Sequence, residues 1–325
     1  MGQLLFTIGI ILFGLSLGYE VQFLVKYEIL KLPFSLNQIR LFLLKAALLF
    51  IMPLTVVGAI WMVKIKELGL LTLPFLGIFA ILLGGFLGMG AAKIFKLERK
   101  QAGSLFTCSS FTNIGTLGGL ICFLFLGEGG FGLVPIYKLF EETVYYTIGF
   151  PIAKLYGEKS TESESRLKWI KRLMTDPFIL VSISSIVIGV LLNLSRIQRP
   201  AFYQTVNSIL IPFGALLLIT SIGLAMKINQ IKNYLRECLT VSLIKFFIIP
   251  VILTSLAYCL NYGKMGGGLP LKVVMILSSM PVAFNALIPP SLYHLDLDLA
   301  NSCWLFTTSL LFFILPILYT VVHSF

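Results

Sequence analysis

Long runs of apolar residues follow one another along the chain, separated by short polar connections. A bilayer core about 30 Å thick requires a helix of about 20 mostly apolar residues. None of the runs shows the alternation typical of a membrane strand, so we predict an all-α membrane protein. Ten runs fit a membrane helix, at residues 4–21, 41–63, 69–92, 102–126, 131–155, 177–194, 204–226, 238–261, 270–293 and 299–323.

The fourth and ninth predicted helices are interrupted near their middles by polar and helix-breaking residues. Residues 109–119 include Asn113 and Gly115, and residues 278–285 include Pro281 and Asn285. A backbone break in a membrane persists only where protein buries it or where it lines a wet cavity. A matched pair of such breaks, five helices apart, indicates the substrate site of a transporter. We therefore predict a carrier that binds its substrate at the two breaks.

The composition supports a chain embedded in lipid. The 325 residues are 58% hydrophobic and 12% charged, whereas a soluble protein has about 25% charged residues. The longest polar stretch, Gly157 to Asp176, is too short to form a domain. The net charge of +11 is explained by lysines and arginines that flank membrane helices and contact anionic lipid. The bilayer, and not a nucleic acid, is the predicted partner of this charge.

The distribution of Lys and Arg predicts the orientation of the chain. Most of these residues lie in the connections between helices 1 and 2, 3 and 4, 5 and 6, and 7 and 8. Positive charge marks the cytoplasmic face, so both termini are predicted outside a cell membrane. The N-terminal run is interpreted as the first membrane helix and not as a removed signal peptide.

The two halves of the chain show a weak correspondence. Helices 2 and 7 carry Pro53 and Pro212, and helices 4 and 9 carry the two breaks. With five helices in each half, a duplicated half has the opposite orientation in the membrane. We predict repeats at residues 1–156 and 177–325, joined by a cytoplasmic linker at residues 157–176.

The breaks predict the chemistry of the site. A helix that begins at mid-membrane presents free N–H groups and a positive dipole end, which suit a carboxylate. A helix that ends there presents free carbonyls, which suit Na⁺ or a protonated donor. An asparagine amide both donates and accepts hydrogen bonds. The alternative is that these residues only pack neighbouring helices together. The predicted substrate-binding residues are Ser110, Asn113, Gly115, Pro281 and Asn285.

Two adjacent glutamates lie about halfway along predicted helix 5. A carboxylate at this depth must pair, take a proton or face water. Lys138 lies one turn before Glu141 and Glu142, so an ion pair is available. One reading is a site that couples transport to Na⁺ or H⁺. The other is a Lys–Glu pair that holds helix 5 in the bundle. For Lys45 and Lys245 we predict that the side chains extend to the membrane interface.

Other features indicate packing, and no cofactor is predicted. Helix 3 contains a glycine-rich face at residues 84–90 that permits close helix packing. The five cysteines are isolated in sequence and only two histidines exist, which argues against zinc, iron–sulfur and disulfide chemistry. Motifs of proteases and ATPases are absent from the sequence, so an enzyme is disfavoured.

The two breaks also carry a family resemblance. Residues 111–115 (FTNIG) and 280–285 (MPVAFN) resemble the corresponding segments of the auxin efflux carrier family, which includes plant auxin exporters and bacterial malate or malonate permeases. The resemblance covers nearly the whole chain. It differs at Leu120, where family members usually have a proline. Weaker matches are found at Asp176–Phe178, Ser221–Leu224 and Thr307–Ser309.

The resemblance implies an architecture and a substrate class. It implies a ten-helix 5+5 inverted repeat, similar to sodium–bile acid symporters and sodium–proton antiporters. Helices 4 and 9 are expected to cross inside a mobile transport domain (helices 3–5 and 8–10), and helices 1, 2, 6 and 7 to form a scaffold. It further implies small carboxylate substrates near Asn113 and Asn285, and a homodimer. The alternative is a membrane sensor or channel-like protein that binds a ligand at the same crossover without transporting it.

Overall fold

The computed structural model describes residues 2–30, 32–63, 68–157, 175, 177–195, 197–226 and 231–324. Helices account for most of these residues, and the β pairing among them is one isolated bridge between Thr112 and Val282. The fold is therefore all-helical, as the sequence predicts. The predicted linker at residues 157–176 lies almost entirely outside the described residues, so that assignment remains a prediction.

The helices are labelled here in chain order. Several contain a short π-helical turn, and α5 and α11 follow a π-helical and a 3₁₀ turn respectively. They are α1 (Gly2–Lys26), α2 (Leu36–Met62), α3 (Leu73–Ile94), α4 (Arg99–Ser110), α5 (Gly119–Tyr137), α6 (141–156), α7 (Pro177–Leu194), α8 (Phe202–Gly223), α9 (Ile231–Cys259), α10 (Leu269–Ser278), α11 (Ile288–Leu292) and α12 (Leu297–Ser324).

Eight helical stretches in the described part of the chain are long and apolar enough to cross a membrane. Large apolar side chains remain exposed on them, including Phe50 at 72% and Phe86 at 69%, as expected for a surface that faces lipid. The predicted helix 131–155 is interrupted by a turn at residues 138–140. Glu141 therefore begins α6, and the prediction that it lies inside a continuous helix is wrong. The count of ten membrane helices remains a prediction.

Each π-helical turn inside α2, α6 and α9 lies directly before a proline. The turns are Ala47–Ile51, Tyr145–Gly149 and Ile244–Ile248, and Pro53, Pro151 and Pro250 each follow two residues later. A proline lacks an N–H and its ring clashes with the carbonyl four residues earlier. The wider turn accommodates that carbonyl, so the helix continues through the proline.

The contacts divide the chain into two compact units. Unit one comprises Met1–Ile65, Gly119–Pro135 and Glu164–Met226, and in it α1 packs along α8 and α2 packs along α7. The Asn193 side-chain amide donates to the carbonyls of Ile60, Trp61 and Val63 at 2.6–2.9 Å, which satisfies the last carbonyls of α2.

Unit two comprises Lys66–Gly118, Ile136–Ser163 and Lys227–Phe325. In this unit α3 packs closely along α4. Gly84, Gly85 and Gly88 face Ser109, Ser110 and neighbouring atoms, whereas a Cβ added at Gly90 meets nothing within 4 Å. The predicted packing face is therefore confirmed for three glycines and wrong for Gly90.

Candidate functional site

The two predicted breaks meet each other inside unit two. Helix α4 ends at Ser110 and the helix restarts at Ile114, while α10 ends at Ser278 and the helix restarts at Phe284. The intervening segments are extended and pair in antiparallel through one isolated bridge, between Thr112 and Val282. We call the segments 111–113 and 281–283 together the crossover.

Two backbone hydrogen bonds hold the crossover together. The Asn113 N–H donates to the Pro281 carbonyl at 2.9 Å, and the Ala283 N–H donates to the Phe111 carbonyl at 3.1 Å. In an antiparallel pair, the N–H groups of the intervening residues point away from the partner strand. Thr112 and Val282 are these residues, and both are buried.

Side chains from two other helices satisfy the outward N–H groups. The Thr112 N–H donates to the Tyr145 Oη at 3.1 Å, and the Val282 N–H donates to the Thr307 Oγ1 at 3.3 Å. The Phe111 N–H donates to the carbonyl at the preceding helical turn. Every N–H of the crossover therefore has a protein partner, which is the condition for an interrupted helix to persist in a membrane.

Asn113 starts the helix that follows the crossover. Its side-chain Oδ1 accepts from the Leu117 N–H at 3.3 Å, and its carbonyl accepts from the Gly118 N–H at 3.1 Å. This is an N-cap interaction adapted to a π-helical turn. The Nδ2 amide of Asn113 makes no hydrogen bond to another described residue, so its donors are available to a ligand.

The remaining predicted substrate-binding residues differ in position. Asn285 is partly exposed, and its side-chain amide has no hydrogen-bond partner among the described residues. Gly115 is also partly exposed, and a Cβ added there lies 3.1 Å from the Lys138 Nζ. Pro281 contributes its carbonyl to the crossover. Ser110, in contrast, faces α3 and lines an apolar cavity of about 120 Å³ between α3, α4 and α6. The substrate-binding roles remain predictions.

Glu141 is linked to the crossover through a tyrosine. Its Oε1 accepts from the Tyr145 hydroxyl at 2.7 Å, and that hydroxyl accepts the Thr112 N–H. The Glu141 Oε2 lies 3.7 Å from the Lys138 Nζ, so the anticipated ion pair is present. The Tyr145 ring stacks on Phe111 with centroids 3.9 Å apart. Glu141 thus positions the crossover backbone.

Glu142 does not share the position of Glu141. It is partly buried, whereas Glu141 is 7% exposed and forms the contacts just described. Adjacent residues of a helix point in directions about 100° apart, so only one of two neighbouring glutamates can face the same partner. The structure selects Glu141 as the glutamate at the crossover. A coupling role for Lys138, Glu141 or Glu142 remains a prediction.

Lys245 is the residue beside the crossover that sequence reasoning placed incorrectly. Its side chain is fully buried, and its Nζ donates to the Thr112 Oγ1 at 2.6 Å. The predicted helix began at residue 238, but α9 begins at Ile231. Lys245 therefore lies about 20 Å along the helix from its start, too far for its side chain to reach that end. Lys45, for which the same prediction was made, is exposed.

Three cysteines that are distant in sequence meet in unit two. Cys108 of α4, Cys238 of α9 and Cys303 of α12 are fully buried, and the Cys303 thiol is within hydrogen-bonding reach of the other two. All five cysteines are free. Among the described residues, no group of three or more His, Cys, Asp or Glu side chains has a geometry suited to a metal ion.

The hydrogen bond from Val282 to Thr307 leads to a test of the crossover. Replacing Thr307 by valine keeps the side-chain shape but leaves the buried Val282 N–H unpaired, which costs about 1–3 kcal/mol. We expect a lower thermal midpoint in detergent. The matched control is Thr308→Val, since among the described residues the Thr308 hydroxyl bonds only to the Trp304 carbonyl of its own helix. Equal midpoints for the two variants would contradict the assigned role of Thr307.

The comparisons with known proteins add one relative. No protein-family model matches the chain. A protein of Methanocaldococcus jannaschii named an uncharacterized transporter is 26% identical over 235 residues, which cover 72% of this chain and 71% of the relative. This chain is a multi-pass membrane protein similar to a transporter. The likeness favours transport and not enzymatic turnover.

Proposed function

We propose that the protein is a secondary transporter of small organic anions that works by alternating access, as in the auxin efflux carrier family. The observation that carries the proposal is the buried crossover of two interrupted helices. Such a crossover places helix ends and polar side chains inside a membrane domain, where transporters bind their substrates. The proposal includes ten membrane helices in an inverted repeat, with both termini outside the cell membrane.

The groups around the crossover favour a carboxylate. The helix that starts at Ile114 has the positive end of its dipole and its first N–H groups at this place. The Asn113 Nδ2 and the Lys138 ammonium, which lies beside Gly115, add donors and positive charge. Glu141 balances one lysine, and Lys245, when protonated, contributes a second positive charge at Thr112. A substrate anion complements this charge distribution.

The division of the chain supports movement of the site as one body. The crossover, its supporting residues Tyr145 and Thr307, and the charged residues Lys138, Glu141 and Lys245 all belong to unit two. Unit one contains α1, α2, α7 and α8, which correspond to the helices proposed as a scaffold. One difference is that residues 119–135 group with unit one. We propose that unit two carries the crossover during transport.

Counterflow in proteoliposomes tests the proposal. Purified protein is reconstituted, the vesicles are loaded with an unlabelled acid, and uptake of radiolabelled malate, malonate or indole-3-acetate is measured at equal pH on both sides. A carrier gives saturable uptake that is accelerated by internal substrate. Binding without flux indicates the sensor instead. Flux that is not accelerated by internal substrate indicates a channel-like protein.

A further inference from the structure

Among the described residues, no carboxylate contacts the buried ammonium of Lys245. Its Nζ has three hydrogen-bond donors and gives one of them to the Thr112 Oγ1 at 2.6 Å. No carboxylate of a described residue forms an ion pair with Lys245. Burial of an unpaired charge costs several kcal/mol even after relaxation. The charged form of this side chain therefore needs an anion that the described residues do not bring into contact with it.

The groups around Lys245 do not remove this need. Helix α9 packs against α3, α4, α10 and α12. The Cys108 thiol of α4 and the Glu141 carboxylate of α6 are the titratable groups that act on Lys245. Lys93 lies in the last turn of α3, and no ion pair or hydrogen bond among the described residues joins it to Lys245. Lys272 of α10 has the same sign of charge.

Helix α12 also carries charged and titratable residues. Cys303 contacts Cys108 and Cys238. Asp298 lies in the first turn of α12 and His323 in its last turn. No ion pair joins Asp298 to Lys245 among the described residues, and His323 cannot supply a negative charge.

Glu141 acts on Lys245 through space but does not contact it. Lys245 contacts the Thr112 side chain, whereas Glu141 reaches the Thr112 backbone through Tyr145. The carboxylate of Glu141 is shared with Lys138 at 3.7 Å. The charge of Lys138 is therefore balanced by Glu141, whereas no described carboxylate pairs with Lys245. A carboxylate bound at the crossover supplies the missing negative charge.

We propose that Lys245 carries the proton that couples transport, a proposal that rests on the proposed function. Its amine takes up one proton from the loading side when a substrate carboxylate binds at the crossover. The ammonium releases that proton on the opposite side when the carboxylate leaves. Because the bound anion stabilises the ammonium, the ammonium stabilises the bound anion by the same free energy. The carrier is thus an anion–proton symporter that does not need Na⁺.

The test combines a transport measurement with three variants. Lys245→Gln removes the proton-binding group, and Lys245→Arg keeps a charge that cannot be released. Lys45→Gln is the matched control, because that lysine is exposed. In Na⁺-free vesicles whose membrane potential is held at zero with K⁺ and valinomycin, an external pH one unit below the internal pH is expected to drive malate or malonate, which do not cross the bilayer unaided, towards an accumulation of about tenfold. Lys45→Gln behaves like wild type, and both Lys245 variants reach an accumulation ratio near one.

A binding measurement covers the case in which the Lys245 variants do not fold. Wild-type protein in weakly buffered detergent solution is mixed with the acid that gives counterflow, and a pH-indicator dye reports proton uptake. About one proton per bound carboxylate is expected. No proton uptake by wild type, or uptake that persists in Lys245→Gln and is lost in Glu141→Gln, overturns the proposal.

The outcomes separate this inference from the proposed function. Counterflow at equal pH without any response to the pH gradient overturns the role of Lys245 and leaves the carrier in place. Accumulation that requires Na⁺ has the same meaning. No counterflow with any of the three acids overturns both.

Discussion

Replacing Asn113 by aspartate is expected to reduce carboxylate exchange by at least about 100-fold in a protein that remains folded. Aspartate keeps the oxygen that accepts from the Leu117 N–H, so the helix cap is retained. It removes the two Nδ2 donors and places a negative charge beside the bound anion. Repulsion of like charges in a desolvated site costs several kcal/mol, and 1.36 kcal/mol corresponds to a factor of ten.

Two further variants make this result specific. Asn113→Ala loses the cap as well as the donors, so it should lower stability by about 1 kcal/mol in addition to its effect on exchange. Asn37→Asp is the matched control, because Asn37 is exposed in the first turn of α2, where a negative charge is tolerated. Counterflow and thermal midpoints are measured for all variants. Unchanged or faster exchange in Asn113→Asp would exclude Asn113 as a contact of an anionic substrate.

The second large effect is expected from a single methyl group at Gly84. A Cβ at this position lies 2.2 Å from the Ser109 carbonyl oxygen, which belongs to the backbone and cannot rotate away. Helices α3 and α4 must separate, and overpacking of this kind costs about 1–3 kcal/mol or more. Ser109 is two residues from the crossover, so the displacement should also impair exchange. Gly84→Ala is therefore expected to lower both the thermal midpoint and the transport rate.

Gly90→Ala provides the control for Gly84→Ala in the same helix. A Cβ at Gly90 meets no atom within 4 Å, and alanine is favoured over glycine in a helix by about 0.5–1 kcal/mol. We expect an equal or higher thermal midpoint and wild-type exchange. Similar losses in both variants would contradict the assignment of the Gly84→Ala effect to close packing on α4.

The positions of the two breaks could be predicted because local chemistry determines them. Proline lacks an N–H and glycine weakens a helix, and both occur with asparagine inside otherwise apolar runs. The structure ends its helices at Ser110 and Ser278, within the predicted segments. The Lys138–Glu141 ion pair could also be predicted from the sequence, because its spacing of three residues is a local property of the chain.

The partners of the breaks could not be predicted, because they depend on tertiary contacts. The family resemblance led us to expect that helices 4 and 9 cross, but Thr112 and Val282 are 170 residues apart and neither segment specifies that these two residues pair. Tyr145 and Thr307 act as acceptors for the crossover only after three helices have packed. Lys245 was misplaced for a simpler reason. The start of α9 contains Lys232, Arg236 and Glu237, and these charges obscured the seven helical residues before the apolar run.

The complete pairing of the crossover N–H groups has a consequence for how substrate preference can change. The crossover segments offer no unpaired backbone N–H. The substrate is therefore recognised by Asn113, Asn285, Lys138 and the first helical turn at Ile114. These groups are side chains and a helix end, and the crossover backbone that holds them already has all its N–H groups paired. A substitution of one recognition residue can therefore change which acid is transported without breaking the backbone hydrogen bonds of the crossover. Relatives with the same crossover need not share a substrate.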